Sequence, residues 1–125
     1  MIIRDKSESP TVDWGNGLST RLLVESDNMG FAVAETFVRA GSKSALQYRN
    51  HLEACYCIAG SGEIATADGS VSGVLKPGVL YALDKNDPHY LIAAPGEDLH
   101  LISVFNPPIR GDEQHTLSED GFSAY

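Results

Sequence analysis

Residues 50–63 read NHLEACYCIAGSGE, and the alternation within them decides the fold. His51, Glu53, Cys55 and Cys57 fall on one side of an extended chain, and Leu52, Ala54, Tyr56 and Ile58 on the other. A period of two marks a β-strand. Ordinarily the charged side of such a strand is the wet one. Here every chemically active group shares a face, so the stretch raises the alternative that this face points inward.

Outward from this strand, turn signals divide the chain at short intervals: WGNG at 14–17, DNMG at 27–30, AGS at 40–42, AGSG at 59–62, ADGS at 67–70, KPG at 76–78, NDP at 86–88 and APGED at 94–98. Between them the pattern predicts strands over 20–25, 31–39, 45–49, 52–58, 62–67, 71–75, 79–83, 89–93 and 99–105. No long capped helix is predicted, only a brief turn near 2–8 or after 112. The reading is an all-β chain, one domain over 1–125 with its core at about 15–108. After Phe105 the sequence turns polar behind a Pro-Pro pair, so 109–125 is expected to form a short C-terminal tail or lid, mobile unless docked.

Composition narrows the partners. The 125 residues include 9 basic and 17 acidic side chains, a net charge of −8. That balance disfavours nucleic acid and anionic lipid. The first ten residues, MIIRDKSESP, have no apolar signal region, and no run approaches the roughly 20 residues that span a bilayer. The two cysteines share one strand two positions apart, which is poor geometry for a bridge. Reduced thiols and a cytoplasmic setting are the simplest reading.

Two blocks carry chemistry, His51-Leu-Glu53 running into YCIAGSGE, and KPGVLYALDKNDPHYL at 76–91. Together they resemble the two motifs of the cupin superfamily, a small jelly-roll-like β-barrel whose inward side chains meet in a cavity fit for one small ligand. Glu53 and His89 then admit two readings, as metal ligands or as a hydrogen-bonded pair in the core. The cysteines are expected to pack as the cavity floor, since two thiols cannot complete a closed zinc site. His100 falls on the strand face opposite Leu101, Ser103 and Phe105 and is expected to be exposed.

Longer strings narrow the resemblance. STRLL at 19–23, DNMGF at 27–31, YRNHLEACYCIAGSGE at 48–63, KPGVLYALDKNDPHYL at 76–91, VFNPP at 104–108 and EDG at 119–121 keep the order found in the ectoine synthase family. That resemblance implies a homodimeric cupin that uses iron (Fe2+) to close a ring. The substrate would be the small molecule N4-acetyl-L-2,4-diaminobutyrate, which loses water to give ectoine. It implies Glu53, Tyr81 and His89 as metal ligands, a donor set that Zn2+ or Mn2+ would also accept. It implies Arg21, Thr36, Tyr48, His51 and Phe105 at the substrate, and Gly111, Glu113 and His115 in the tail motif; Tyr48, Glu113 and His115 are then expected to carry the proton transfers when the tail closes. The family's tryptophan before S-T-R is Gly17 here, with Trp14 three residues earlier. A polar position is Ala34, a histidine is Ala45, and the tail is stretched between His115 and Gly121. These changes keep three further readings open: a diverged cyclase or amidine hydrolase acting on a related acylated diamine, a non-catalytic metabolite-binding cupin, and a barrel serving other oxygen-dependent chemistry.

Overall fold

The computed structural model describes residues 1–117 and 121–124. Its strands are β1 (Thr11–Asp13), β2 (Gly17–Leu23), β3 (Ala32–Val38), β4 (Lys43–Gln47), β5 (Leu52–Ala59), β6 (Gly62–Thr66), β7 (Ser72–Leu75), β8 (Leu80–Leu83), β9 (His89–Ala93), β10 (Leu99–Asn106), β11 (Thr116–Leu117) and β12 (Ser123–Ala124). They form two six-stranded sheets, β1-β2-β3-β10-β5-β8 and β11-β12-β4-β9-β6-β7. This is the expected cupin-type architecture, in which β-branched and aromatic residues alternate along strands closed by Gly, Pro and Asp turns. Single 3-10 turns occupy Lys6–Glu8 and Glu25–Asp27; only the first was anticipated.

The alternation in β5 resolves as an inward reactive face. Glu53, Cys55 and Cys57 are buried, whereas Leu52, Tyr56 and Ile58 are each more than 40% exposed. The facing strands supply the complement: His89, Leu91 and Ala93 from β9, and Leu99, Leu101, Ser103 and Phe105 from β10. One apolar cluster joins Val38, Leu46, Cys57, Leu75, Leu91, Leu99 and Leu101; another joins Ala32, Ala34, Tyr48, Leu83, Phe105 and Ile109. Each fully buried aliphatic side chain contributes roughly 1.5–3 kcal/mol relative to exposure. Tyr81 packs against both clusters, which places it between the apolar base and the polar end of the interior.

Three expectations need adjustment. β1 begins ahead of residue 15, and Ile109 is buried in the core beyond residue 108. The tail is docked: β12 lies parallel to β4, pairing Ser123 with Leu46 and Ala124 with Gln47. Gln114 Nε2 donates to the Asp13 carbonyl at 3.3 Å, and the Glu25 amide donates to the Ile109 carbonyl at 2.8 Å. Of the EDG string, Glu119 and Asp120 lie outside the described residues. His100 is on the predicted face but is only half-exposed. It stacks on Phe37 with ring centres 4.1 Å apart and pairs with Glu35 at 3.2 Å, and these neighbours cover it.

Candidate active site

The polar end of the interior is a narrow cavity of about 20 Å³, room for about one water molecule. β2 contributes Ser19 and Arg21, β3 Thr36, β5 Glu53 and Cys55, β8 Tyr81, and β10 Leu101, Ser103 and Phe105. Tyr48 enters from the end of β4, Trp14 from the β1–β2 turn, and His115 from the tail. Antiparallel register explains the gathering. Cys55 pairs with Tyr81 and with Ser103, while Thr36 pairs with Leu101, so inward positions of four adjacent strands meet on one face.

Two polar chains cross this space. In the first, Thr36 Oγ1 lies 3.0 Å from Ser103 Oγ, which lies 3.2 Å from Cys55 Sγ. In the second, the Tyr48 hydroxyl lies 3.1 Å from His115 Nε2, and His115 Nδ1 lies 3.3 Å from the Ser123 carbonyl. A carbonyl can only accept, so His115 Nδ1 carries the proton, and Nε2 is left as an acceptor facing the Tyr48 hydroxyl. Burial pulls His115 down to about 4, only partly opposed by the Ser123 carbonyl, so the ring is neutral near pH 7. The β4–β5 loop that presents Tyr48 is clamped by Asn86, whose Nδ2 donates to the carbonyls of Tyr48 at 3.0 Å and His51 at 3.1 Å.

Beside the cavity a buried guanidinium meets a carboxylate of the tail. Arg21 is 1% exposed; its Nε donates to Ser19 Oγ at 2.8 Å and its Nη2 to the Glu113 carbonyl at 2.8 Å. Nη1 has no hydrogen-bond partner among the described residues and stands 3.8 Å from Glu113 Oε1. Burial would raise the Glu113 carboxyl, but the amides of Arg110 and Gly111, at 2.7 and 2.8 Å, hold it below its ordinary value. Burial pushes the Glu53 carboxyl up to about 8, against the pull of hydrogen bonds from Cys55 and Tyr48. Burial, then the neighbouring Cys55 and Glu53, raise the Tyr81 phenol well above its usual range.

The structure therefore gathers Arg21, Thr36, Tyr48, Glu53, Tyr81, Phe105 and His115 around one cavity. His89 sits on the opposite sheet, its ring centre 6.1 Å from that of Tyr48, and with Tyr81 it borders a neighbouring opening between β7 and β8. His51 turns its Nδ1 to the Pro107 carbonyl at 2.7 Å and packs edge-on to Phe105. Glu113 stands behind Arg21, anchoring its own turn. Ser19, Ser103 and Trp14 are cavity residues that were not singled out for a role. Their signal was the inward register next to Arg21 and Phe105, which a single serine does not announce. Ala34, directly across from Arg21, is buried in the apolar cluster with Tyr48 and Phe105, whereas Ala45 points away from the interior, opposite Tyr90.

A profile of the ectoine synthase family matches residues 1–124. The chain belongs to the ectoine synthase family. The L-ectoine synthase of Hyphomonas neptunium is 40% identical over 125 residues, 97% of this chain and 91% of that protein. That of Desulfatibacillum aliphaticivorans is 47% identical over 107 residues, covering 86% and 79%. The crystal structure of ectoine synthase from P. lautus superposes with a TM-score of 0.81 at 38% identity, over 89% of this chain and 81% of that one. The polyketide cyclase RemF from Streptomyces resistomycificus shares the fold alone, with a TM-score of 0.71 at 19% identity over 98% and 90% of the two chains. Family membership agrees with the strings that suggested it, and the cavity holds most of the side chains that those strings assigned to it.

Proposed function

We infer that this protein is an ectoine synthase, a cyclodehydrating lyase that converts N4-acetyl-L-2,4-diaminobutyrate into ectoine and water. The observation that carries the reading is the buried cavity in which Arg21, the Tyr48–His115 pair and Glu53 stand together. Ring closure needs the 2-amino nitrogen brought onto the acetyl carbonyl and two protons carried, one after the other, from that ammonium to the acetyl oxygen, which leaves as water. Nη1 of Arg21, which has no hydrogen-bond partner among the described residues, suits the substrate carboxylate. Thr36 and Phe105 offer a hydroxyl and an apolar wall to the chain and its methyl group. His51, packed on Phe105, fixes that wall from outside the cavity.

Tyr48 and neutral His115 form the relay for the two proton movements. The hydroxyl can give its proton to Nε2 while taking one from the substrate, and can reverse the transfer when the oxygen leaves. Glu113 assists by holding Arg21 and the turn that carries His115. The tail brings His115 to the cavity, and water kept from the bound substrate there would favour dehydration over hydrolysis.

A divalent metal belongs in this proposal, and the residues fit one. His89 Nδ1 donates to the Asp87 carbonyl at 2.9 Å, which leaves Nε2 with a buried lone pair that has no hydrogen-bond partner among the described residues. Among the described residues no three His, Cys, Asp or Glu side chains converge. The trio of Glu53, Tyr81 and His89 therefore depends on a phenolic oxygen. Two oxygens and one imidazole suit Fe2+, which the family resemblance selects, as well as Zn2+ and Mn2+. When bound, the ion would act as a Lewis acid on the amide.

The remaining attributes follow from the surface. We take residues 1–125 as one domain, because both sheets enclose the same interior. Leu52, Tyr56, Ile58, Leu80 and Val104 lie on the outer face of neighbouring strands at 38 to 59% exposure, which supports a homodimer. Both cysteines are free, in keeping with a cytoplasmic setting. Among the described residues no helix is long and apolar enough to cross a membrane. The discriminating experiment offers the Fe2+-loaded protein N4-acetyl-2,4-diaminobutyrate, a longer acylated diamine, and ectoine itself. Ectoine formed from the first alone supports the assignment. Preference for the longer diamine, or net opening of ectoine, supports a diverged cyclase or hydrolase.

A further inference from the structure

We propose that Trp14 is a substrate-binding, specificity-determining residue, its indole N–H donating to an oxygen of the bound acylated diamine and its ring closing one end of the cavity. The inference rests on the functional reading above and extends it to a side chain with no assigned role. Trp14 sits in the tight turn between β1 and β2, where Gly15 takes a φ of +107°. The ring lines the same cavity as Arg21, Tyr48 and His115. Its Nε1 is shielded from solvent, yet has no partner among the described residues. A buried donor left unpaired costs about 1–3 kcal/mol, so its persistence points to an acceptor that arrives with a ligand.

The turn is built to hold this side chain still. The Trp14 amide donates to the Gly17 carbonyl at 3.1 Å, and the Gly15 amide to Asp13 Oδ1 at 2.9 Å. Asn16 reaches across to the other sheet, its Nδ2 donating to Ser44 Oγ at 2.8 Å. The Arg39 amide donates to the Asn16 carbonyl at 2.7 Å. From the tail side, His115 packs edge-on against the indole with ring centres 5.9 Å apart. Gly17 completes the arrangement. A Cβ there would strike the Phe37 carbonyl oxygen and stand 3.2 Å from Trp14 Cζ2, so the indole occupies space that a side chain at 17 would claim. Trp14 thus links hairpin, cavity and tail at one point.

Trp14 is the only tryptophan of the chain, so its fluorescence reports on the site directly. Wild-type protein titrated with ectoine should show a saturable change in emission. Trp14→Phe keeps a ring against His115 and removes the donor. It should raise KM for N4-acetyl-2,4-diaminobutyrate and the calorimetric Kd for ectoine by about tenfold, the usual worth of one hydrogen bond to a charged or strongly polar group, with kcat within about twofold. Trp14→Ala should in addition narrow the discrimination against an acyl-diamine one methylene longer. If Trp14 only packs, Trp14→Phe leaves KM and Kd unchanged; that result, or a wild-type emission indifferent to saturating ectoine, overturns the proposal. Thermal unfolding of each variant separates a folding defect from a binding one, and the wild-type titration stands whether or not the variants fold. A wild type that binds ectoine without turnover fails the functional reading alone, and one that does neither ends both.

Discussion

Glu53→Gln in the metal-free protein isolates the electrostatic consequence of burying that carboxyl. Burial holds it near 8 rather than 4.5. The folded chain keeps a proton there that the unfolded chain releases. The associated stability is fully present below about 4.5 and is lost as pH rises toward about 8. At about 1.4 kcal/mol per pH unit, moving from about pH 5 to about pH 7.5 costs the wild type about 3 kcal/mol. Glutamine cannot titrate, so this component vanishes in the variant. Urea unfolding of both proteins in chelator should therefore show their stabilities diverging by about 3 kcal/mol over that interval, in the variant's favour. His115, whose folded value lies below its unfolded one, contributes stability above about 6.5 that is lost as pH falls through about 4. It is common to both proteins and cancels in the difference. Parallel pH profiles for the two proteins would refute the claim that Glu53 is buried without a compensating charge.

Metal content after Fe2+ reconstitution should drop severalfold in Glu53→Ala, Tyr81→Ala and His89→Ala while the fold, read by circular dichroism, survives; unchanged content in all three removes the ligand assignment. His115→Phe should lower kcat by about 10²–10⁴ through loss of the proton relay, with a smaller change in ectoine affinity. A His115→Phe variant of full kcat would transfer the proton work elsewhere. Tyr56→Lys combined with Leu80→Lys should convert a dimer into a monomer by light scattering, because both place charge on the exposed apolar face. A monomeric wild type would remove that interface.

The strand layout and the inward turn of β5 were legible because alternation and turn chemistry act locally. Alternation put Glu53 on a face that could point inward, whereas Tyr81 and Phe105 could be assigned to the same interior only through the family resemblance. The roles of Trp14, Ser103 and Asn86 depend on contacts across the fold: Trp14 on its meeting with a tail a hundred residues away in sequence, Ser103 on two neighbouring strands, and Asn86 on a loop it clamps from outside. The tail was the least readable segment. Its polar composition suits solvent, and what holds it down lies across the fold: the backbone pairing of β12 with β4, the burial of Ile109, and the contacts of Glu113, Gln114 and His115. His100 illustrates the same limit, since alternation gives a side chain's face and not its neighbours.

The most direct measurement follows the acetyl oxygen. Fe2+-loaded protein is given N4-acetyl-2,4-diaminobutyrate carrying oxygen-18 in the acetyl group, and the products are weighed by mass spectrometry. Cyclodehydration predicts unlabelled ectoine, with all of the label released as water. Labelled acetate with free diaminobutyrate, or no ring product at all, would contradict the account.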